Sequence, residues 1–116
     1  MKLSMVKELL AAEVLCCEDQ LDREAAGACA SDMMSDVLAY GGSKSVLITG
    51  LLNPQVVRTA EMMDMICIVF VRSKQPDSTI TRLATDRGIV LMRTTAPMYT
   101  ACGALYAEGL SGEVAN

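Results

Sequence analysis

The sequence predicts a small α/β domain, with one mainly parallel sheet covered by helices on both faces. Three observations predict it. From Ser45 onward the order is strand, helix, strand, helix, strand, helix, and such alternation implies parallel pairing through right-handed crossovers. The strand-like segments "SVLITG", "ICIVFV" and "IVLMRT" are continuous apolar runs, as strands are when helices cover both faces of a sheet. The length of 116 residues, 52% of them hydrophobic, suits one domain with a modest core.

The elements follow in chain order. Leu3, Val6, Leu9 and Leu10 recur at helical spacing, and Ser4 fits an N-cap, which predicts a helix over about residues 4–12. "EVLC" is a short strand, "CEDQLDRE" a polar connection, and "AGACAS" a strand of small residues that needs close neighbours. "SDMMSDVLAY" is the second helix, capped by Ser31 or Asp32 and ended by Gly41-Gly42. After "SVLITG", Pro54 opens a helix in "NPQVVRTAEMMD", since its missing N–H costs nothing in a first turn. Arg58 and Glu61 are spaced to pair on the outer face of that helix. "DSTITRLATDRG" is a helix from near Asp77 to Gly88, and "PMYTACGALYAEGL" is the last helix, begun by Pro97. The domain is expected over 1–110, and 111–116 as a flexible C-terminal tail.

Composition excludes several classes. Ten basic against fourteen acidic residues give a formal charge of -4. With no basic stripe carrying aromatics, nucleic-acid binding is not expected. No apolar stretch approaches the length of a membrane span. The charged, helical N-terminus does not resemble a signal peptide, so a cytoplasmic location is expected. Cys16, Cys17, Cys29, Cys67 and Cys102 lie in or beside apolar segments and read as reduced core thiols. There is no Cys-x-x-Cys and no histidine, so neither a metal site nor a cofactor is expected. The vicinal pair Cys16-Cys17 is the one redox feature: strand neighbours point to opposite faces, which would leave one thiol exposed. Nine methionines and 3% aromatics make an adaptable core, suited also to a surface that packs on a partner.

In an open parallel sheet, ligands gather beyond the carboxyl ends of the strands. Three loops belong there. The first carries Thr49, Gly50 and Asn53, the second Arg72, Ser73 and Lys74, and the third Arg93, Thr94 and Thr95. Each leads into a helix N-terminus, where free N–H groups favour an anion. Thr49, Gly50, Asn53, Arg72, Lys74, Thr94 and Thr95 are therefore the candidate ligand residues. The alternative is that these loops are polar only because loops are. Thr49-Gly50 is not followed by Gly-Lys-Ser/Thr, and there is no Gly-x-Gly-x-x-Gly, so the usual nucleotide loops are absent. Leu51 and Leu52 place apolar bulk in the turn, which suggests a covered pocket or a partner surface. No spacing singles out a catalytic base among Asp32, Asp36 and Cys102, so no enzyme is expected. In the last helix, Ala101, Gly103, Ala104 and Ala107 suggest close packing inside the molecule, or else a dimer face.

The segments "SDMMSDVLAY", "VLITGLLNPQVVRTAEMMDM", "IVFVRSKQP" and "MYTACGALYAEGL" together resemble the DRTGG domain family. The resemblance covers most of the chain in the right order. It is to the N-terminal, non-catalytic domain of HPr kinase, and to the module found in phosphotransacetylases and beside CBS domains in pyrophosphatases. It implies a small α/β fold, a regulatory or assembly role and frequent dimerisation, and no kinase activity. The name-giving Thr-Gly-Gly is here Thr49-Gly50-Leu51, and Ala96-Pro97 stands where many members are acidic.

The functional expectation is a non-enzymatic regulatory or interaction domain. It is expected to be a homodimer, with Leu51 and Leu52 at the interface, and to serve a protein partner encoded nearby. The alternative is a sensor of a small anionic ligand, nucleotide-like or phosphorylated, held at the carboxyl ends of the strands.

Overall fold

A computed structural model describes residues 1–112. Most of the expected tail, 113–116, lies outside the described residues. The order is α1 (Leu3–Leu10), β1 (Glu13–Cys16), β2 (Ala28–Ala30), α2 (Met34–Tyr40), β3 (Val46–Thr49), α3 (Gln55–Met62), β4 (Cys67–Phe70), α4 (Ser78–Arg87), β5 (Val90–Arg93) and α5 (Met98–Ala107). The five strands form one sheet in the order β1-β5-β4-β3-β2. All pairings are parallel except that of β1, which runs antiparallel along β5 at one edge.

Strand alternation divides the core in two. Val46 and Ile48, Cys67 and Val69, Val90 and Met92 face α1 and α5, meeting Leu3, Val6, Leu10, Ala101 and Leu105. Leu47, Ile68, Phe70 and Leu91 face the other way, onto Val37 of α2, Val56, Val57 and Ala60 of α3, and Ile80 and Ala84 of α4. Helices thus cover both faces, and the central strands are buried on both sides, which is why they read as unbroken apolar runs. Parallel β3, β4 and β5 stand in register, so Thr49, Phe70 and Arg93 end side by side.

Several local expectations change. Ser4 lies inside α1, where the cap residue is Lys2 with no side-chain bond. The carbonyls of Arg23 and Leu21 accept from the N–H groups of Leu3 and Ser4, each at 3.0 Å, and replace a capping side chain. The same helix stops at Leu10, two residues early, because Ala11 turns left-handed at φ 48°. Neither Ser31 nor Asp32 caps α2, whose first residue follows Met33. Glu61 pairs not with Arg58 but with Arg87 of α4, Nε to Oε2 at 2.8 Å. By contrast, α4 runs as expected: the Asp77 carboxylate accepts from the Ile80 N–H, and Gly88 closes the helix at φ 68°.

Candidate functional site

At the carboxyl edge of the sheet, one side chain joins the loops, and it is Asp32. It follows β2, parallel to β3, so its loop opens at the same edge. The Gly50 N–H donates to Asp32 Oδ1 at 2.7 Å and the Thr49 hydroxyl to the same oxygen at 3.1 Å. Arg72 Nη2 stands 3.5 Å from Oδ2. Thr49 Oγ1 in turn accepts from the Leu51 N–H at 3.2 Å. The Gly50 N–H bond, then Thr49 and Arg72, hold the Asp32 carboxyl below the usual aspartate range, although partial burial opposes this. A Cβ at Gly50 would collide with the Arg72 guanidinium, which lies across it.

The second and third loops are stitched together by backbone. Arg72 and Ser73 are both left-handed, at φ 56° and 59°. Two successive non-glycine residues there cost roughly 1–2 kcal/mol each. Their N–H groups donate to Ala96 O and Thr94 O, each at 2.9 Å, which fixes the turn. Thr94 is buried. Its hydroxyl donates inward to Leu10 O at 2.8 Å and accepts from the Ala96 N–H at 3.2 Å. Arg93 Nε donates to Ser73 O at 3.4 Å, while its Nη1 meets Glu13 Oε1 of β1 at 3.2 Å.

The structure therefore brings Thr49, Gly50 and Arg72 around Asp32, and ties Thr94 to the same loops while turning its hydroxyl inward. Asn53 stands apart, its Oδ1 accepting from the Gln55 N–H at 2.8 Å at the start of α3. Lys74 and Thr95 are exposed beside Arg72 and Thr94. Leu51 is half-buried against the α2, α3 and α4 face of the core, whereas Leu52 is 40% exposed. Asp32 is the residue that motif reasoning assigned to a helix cap. The signal was available: it follows a strand of the same parallel sheet.

The arrangement is electrostatically closed. The N–H and guanidinium that would attract an anion already hold a carboxylate of the chain itself. The one hydroxyl–carboxylate contact among these residues, Thr49 to Asp32, is buried at the strand end and shared with the Leu51 N–H. Among the described residues, no three Cys, Asp or Glu side chains gather as metal ligands, and no helix is long and apolar enough to cross a membrane.

The vicinal cysteines are half-buried, Cys16 against one half of the core and Cys17 against the other. Neither is fully exposed, because Cys17 leaves the strand at φ 60°. Cys16 Sγ donates to Ile89 O at 3.4 Å. Burial, and then Cys16 beside it, push the Cys17 thiol up to about 11. It is protonated at neutral pH, unlike the low-pKa thiols of redox sensors.

No protein-family model matches the sequence, and no curated protein does. Among solved structures, the chain is similar to the CBS and DRTGG domains of the regulatory region of Clostridium perfringens pyrophosphatase, complexed with its activator, diadenosine tetraphosphate. The TM-score is 0.76 at 14% sequence identity, over 99% of this chain and 50% of that one. The chain thus spans half the length of the structure that it matches. The likeness is one of fold, and the fold is DRTGG-like.

Proposed function

We propose that the chain is a cytoplasmic, non-enzymatic regulatory or interaction module that works as a homodimer. The observation that carries this reading is the closed carboxyl edge. Three of the groups expected to act on a ligand, Thr49, Gly50 and Arg72, are bonded to Asp32 instead, and the Thr49 hydroxyl that meets this carboxylate is buried and tied to the Leu51 N–H. The fold is shared with part of the regulatory region of a pyrophosphatase. A protein encoded nearby is the partner this role calls for, and pull-down with the tagged full chain tests it. Recovery of no neighbour's product, together with turnover of any phosphorylated substrate, would overturn the proposal.

A second reading has its own support. Arg72, Lys74 and Thr95 are exposed at the edge, and the related structure holds a tetraphosphate activator. In this reading the module senses an anionic, nucleotide-like ligand, using Thr49, Gly50, Asn53, Arg72, Lys74, Thr94 and Thr95. The anion would replace Asp32 on the Gly50 N–H and on Arg72. Calorimetric titration with diadenosine tetraphosphate, ATP and inorganic phosphate separates the readings. The first predicts no heat of binding. Saturable binding that is lost in Arg72→Ala establishes the sensor instead.

A further inference from the structure

The helix α5 is apolar on every side. No charged residue stands between Arg93 and Glu108. A helix of that kind belongs in an interior, yet on α5 only Ala101 and Leu105 are buried. The opposite face carries Tyr99, 91% exposed, and Tyr106, 70% exposed, with Gly103 open between them. Tyr40 is exposed as well, so all three tyrosines of the chain lie at the surface while the single phenylalanine, Phe70, is in the core. In a sequence with so few aromatics these rings are the largest apolar groups it has. Exposed together on one charge-free helix face, they are anchors without a pocket.

We propose that this face of α5 receives a second copy of the chain, the two helices crossing antiparallel at Gly103. The inference rests on the homodimer reading above and assigns its face. Three features select a second copy. The first is symmetry. Tyr99 lies one turn before Gly103 and Tyr106 one turn after it, so a two-fold axis at Gly103 sets each Tyr99 against Tyr106 of the other copy. A self-complementary patch of this kind is what a two-fold interface requires. A Cβ at Gly103 would meet nothing within 4 Å. Among the described residues the glycine therefore packs against nothing, and it leaves room for a second backbone to approach.

The second feature is charge. Each copy carries a net charge of -4, and two copies repel unless they meet across a neutral surface. Residues 94–107 provide one. The third is area. A tyrosine buries about 150–250 Å², so four rings account for about 600–1,000 Å². The rings alone thus supply about half or more of the ~1,200 Å² at which stable pairs begin, and the cleft walls add to that area. Beside Tyr106 and Cys102, this apolar cleft of about 280 Å³ runs to Cys29 and Ala30 of the edge strand β2 and to Leu110.

Sedimentation velocity of the full chain across a dilution series tests the inference. Wild type sediments as a dimer. Tyr99→Glu and Gly103→Glu each sediment as monomers and still unfold cooperatively, with the Tm of wild type diluted below its dimer Kd, since among the described residues Tyr99 is 91% exposed and a Cβ at Gly103 meets nothing. Gly103→Ala folds normally and raises the dimer Kd by about tenfold or more. If Leu52→Asp breaks the dimer while Tyr99→Glu and Gly103→Glu do not, the homodimer stands and this face is wrong. If wild type is monomeric at every concentration, this face and the homodimer reading both fall, whatever else covers α5.

Discussion

The carboxyl edge of the sheet and the outward face of α5 are opposites. The edge is polar, and its groups are bonded to one another: Gly50, Thr49 and Arg72 to Asp32, Ser73 to Thr94, Arg72 to Ala96. The α5 face is apolar and its rings are open to solvent. The region that looks like a ligand site by position has already engaged the Gly50 N–H, the Thr49 hydroxyl and Arg72 with its own carboxylate. The region that looks bland, a run of small residues, is the one left incomplete. Polarity at a strand end therefore says where a ligand could go, and the hydrogen-bond inventory says whether the place is taken.

The contrast can be broken at several points. Asp32→Ala strands the buried Gly50 N–H and frees Arg72, which should cost about 1–3 kcal/mol in urea unfolding. A loss near zero would mean that the edge is not held closed by this carboxylate. Gly50→Ala keeps the N–H but pushes the Arg72 guanidinium off Asp32. The exposed pair that is lost is worth up to about 1 kcal/mol, so a much larger effect would point to a backbone role for Gly50 instead. On the other side of the comparison, Tyr99→Ser should leave the unfolding free energy of dilute protein within about 0.5 kcal/mol, because the ring is almost wholly open to solvent.

The smallest expected effect is on acid stability. The folded pKa of Asp32 is depressed, chiefly by the Gly50 N–H bond. Its contribution is therefore present above the unfolded value near 3.9, and is lost as pH falls from there through the folded value. Asp32→Asn keeps an acceptor for Gly50 but does not titrate. Its urea midpoint should change less with pH below about 4 than that of wild type. Equal slopes would show that other carboxylates set the acid limb.

Much of this fold was legible in the sequence, and for physical reasons. The runs around Ile48, Ile68 and Leu91 are buried on both faces, so their pattern owes nothing to partners. Asp77 and Gly88 bracket α4 by local chemistry alone. What was not legible depended on distant chain. Ser4 is a good cap by type, but Arg23 and Leu21 supply the carbonyls that do the capping. The antiparallel course of β1 is set by its pairing with β5, including an irregularity between Val14 and Cys16, and four residues carry no sign of direction. Asp32 looks like a cap because Asp at a helix start usually is one. Only the sheet order places it opposite Gly50. Gly103 suggested internal packing, and the reason it does none is that α5 docks through Ala101 and Leu105 on its other side.

Amide hydrogen exchange, followed at low and at high protein concentration, tests both halves of the contrast in one experiment. Exchange across Met98–Ala107 should slow as the concentration rises, because a second copy covers α5, while the loops at 50–54 and 72–75 exchange alike at both concentrations. Slowing in those loops with no change in α5 would contradict this, and would move the contact surface to the edge that Asp32 closes.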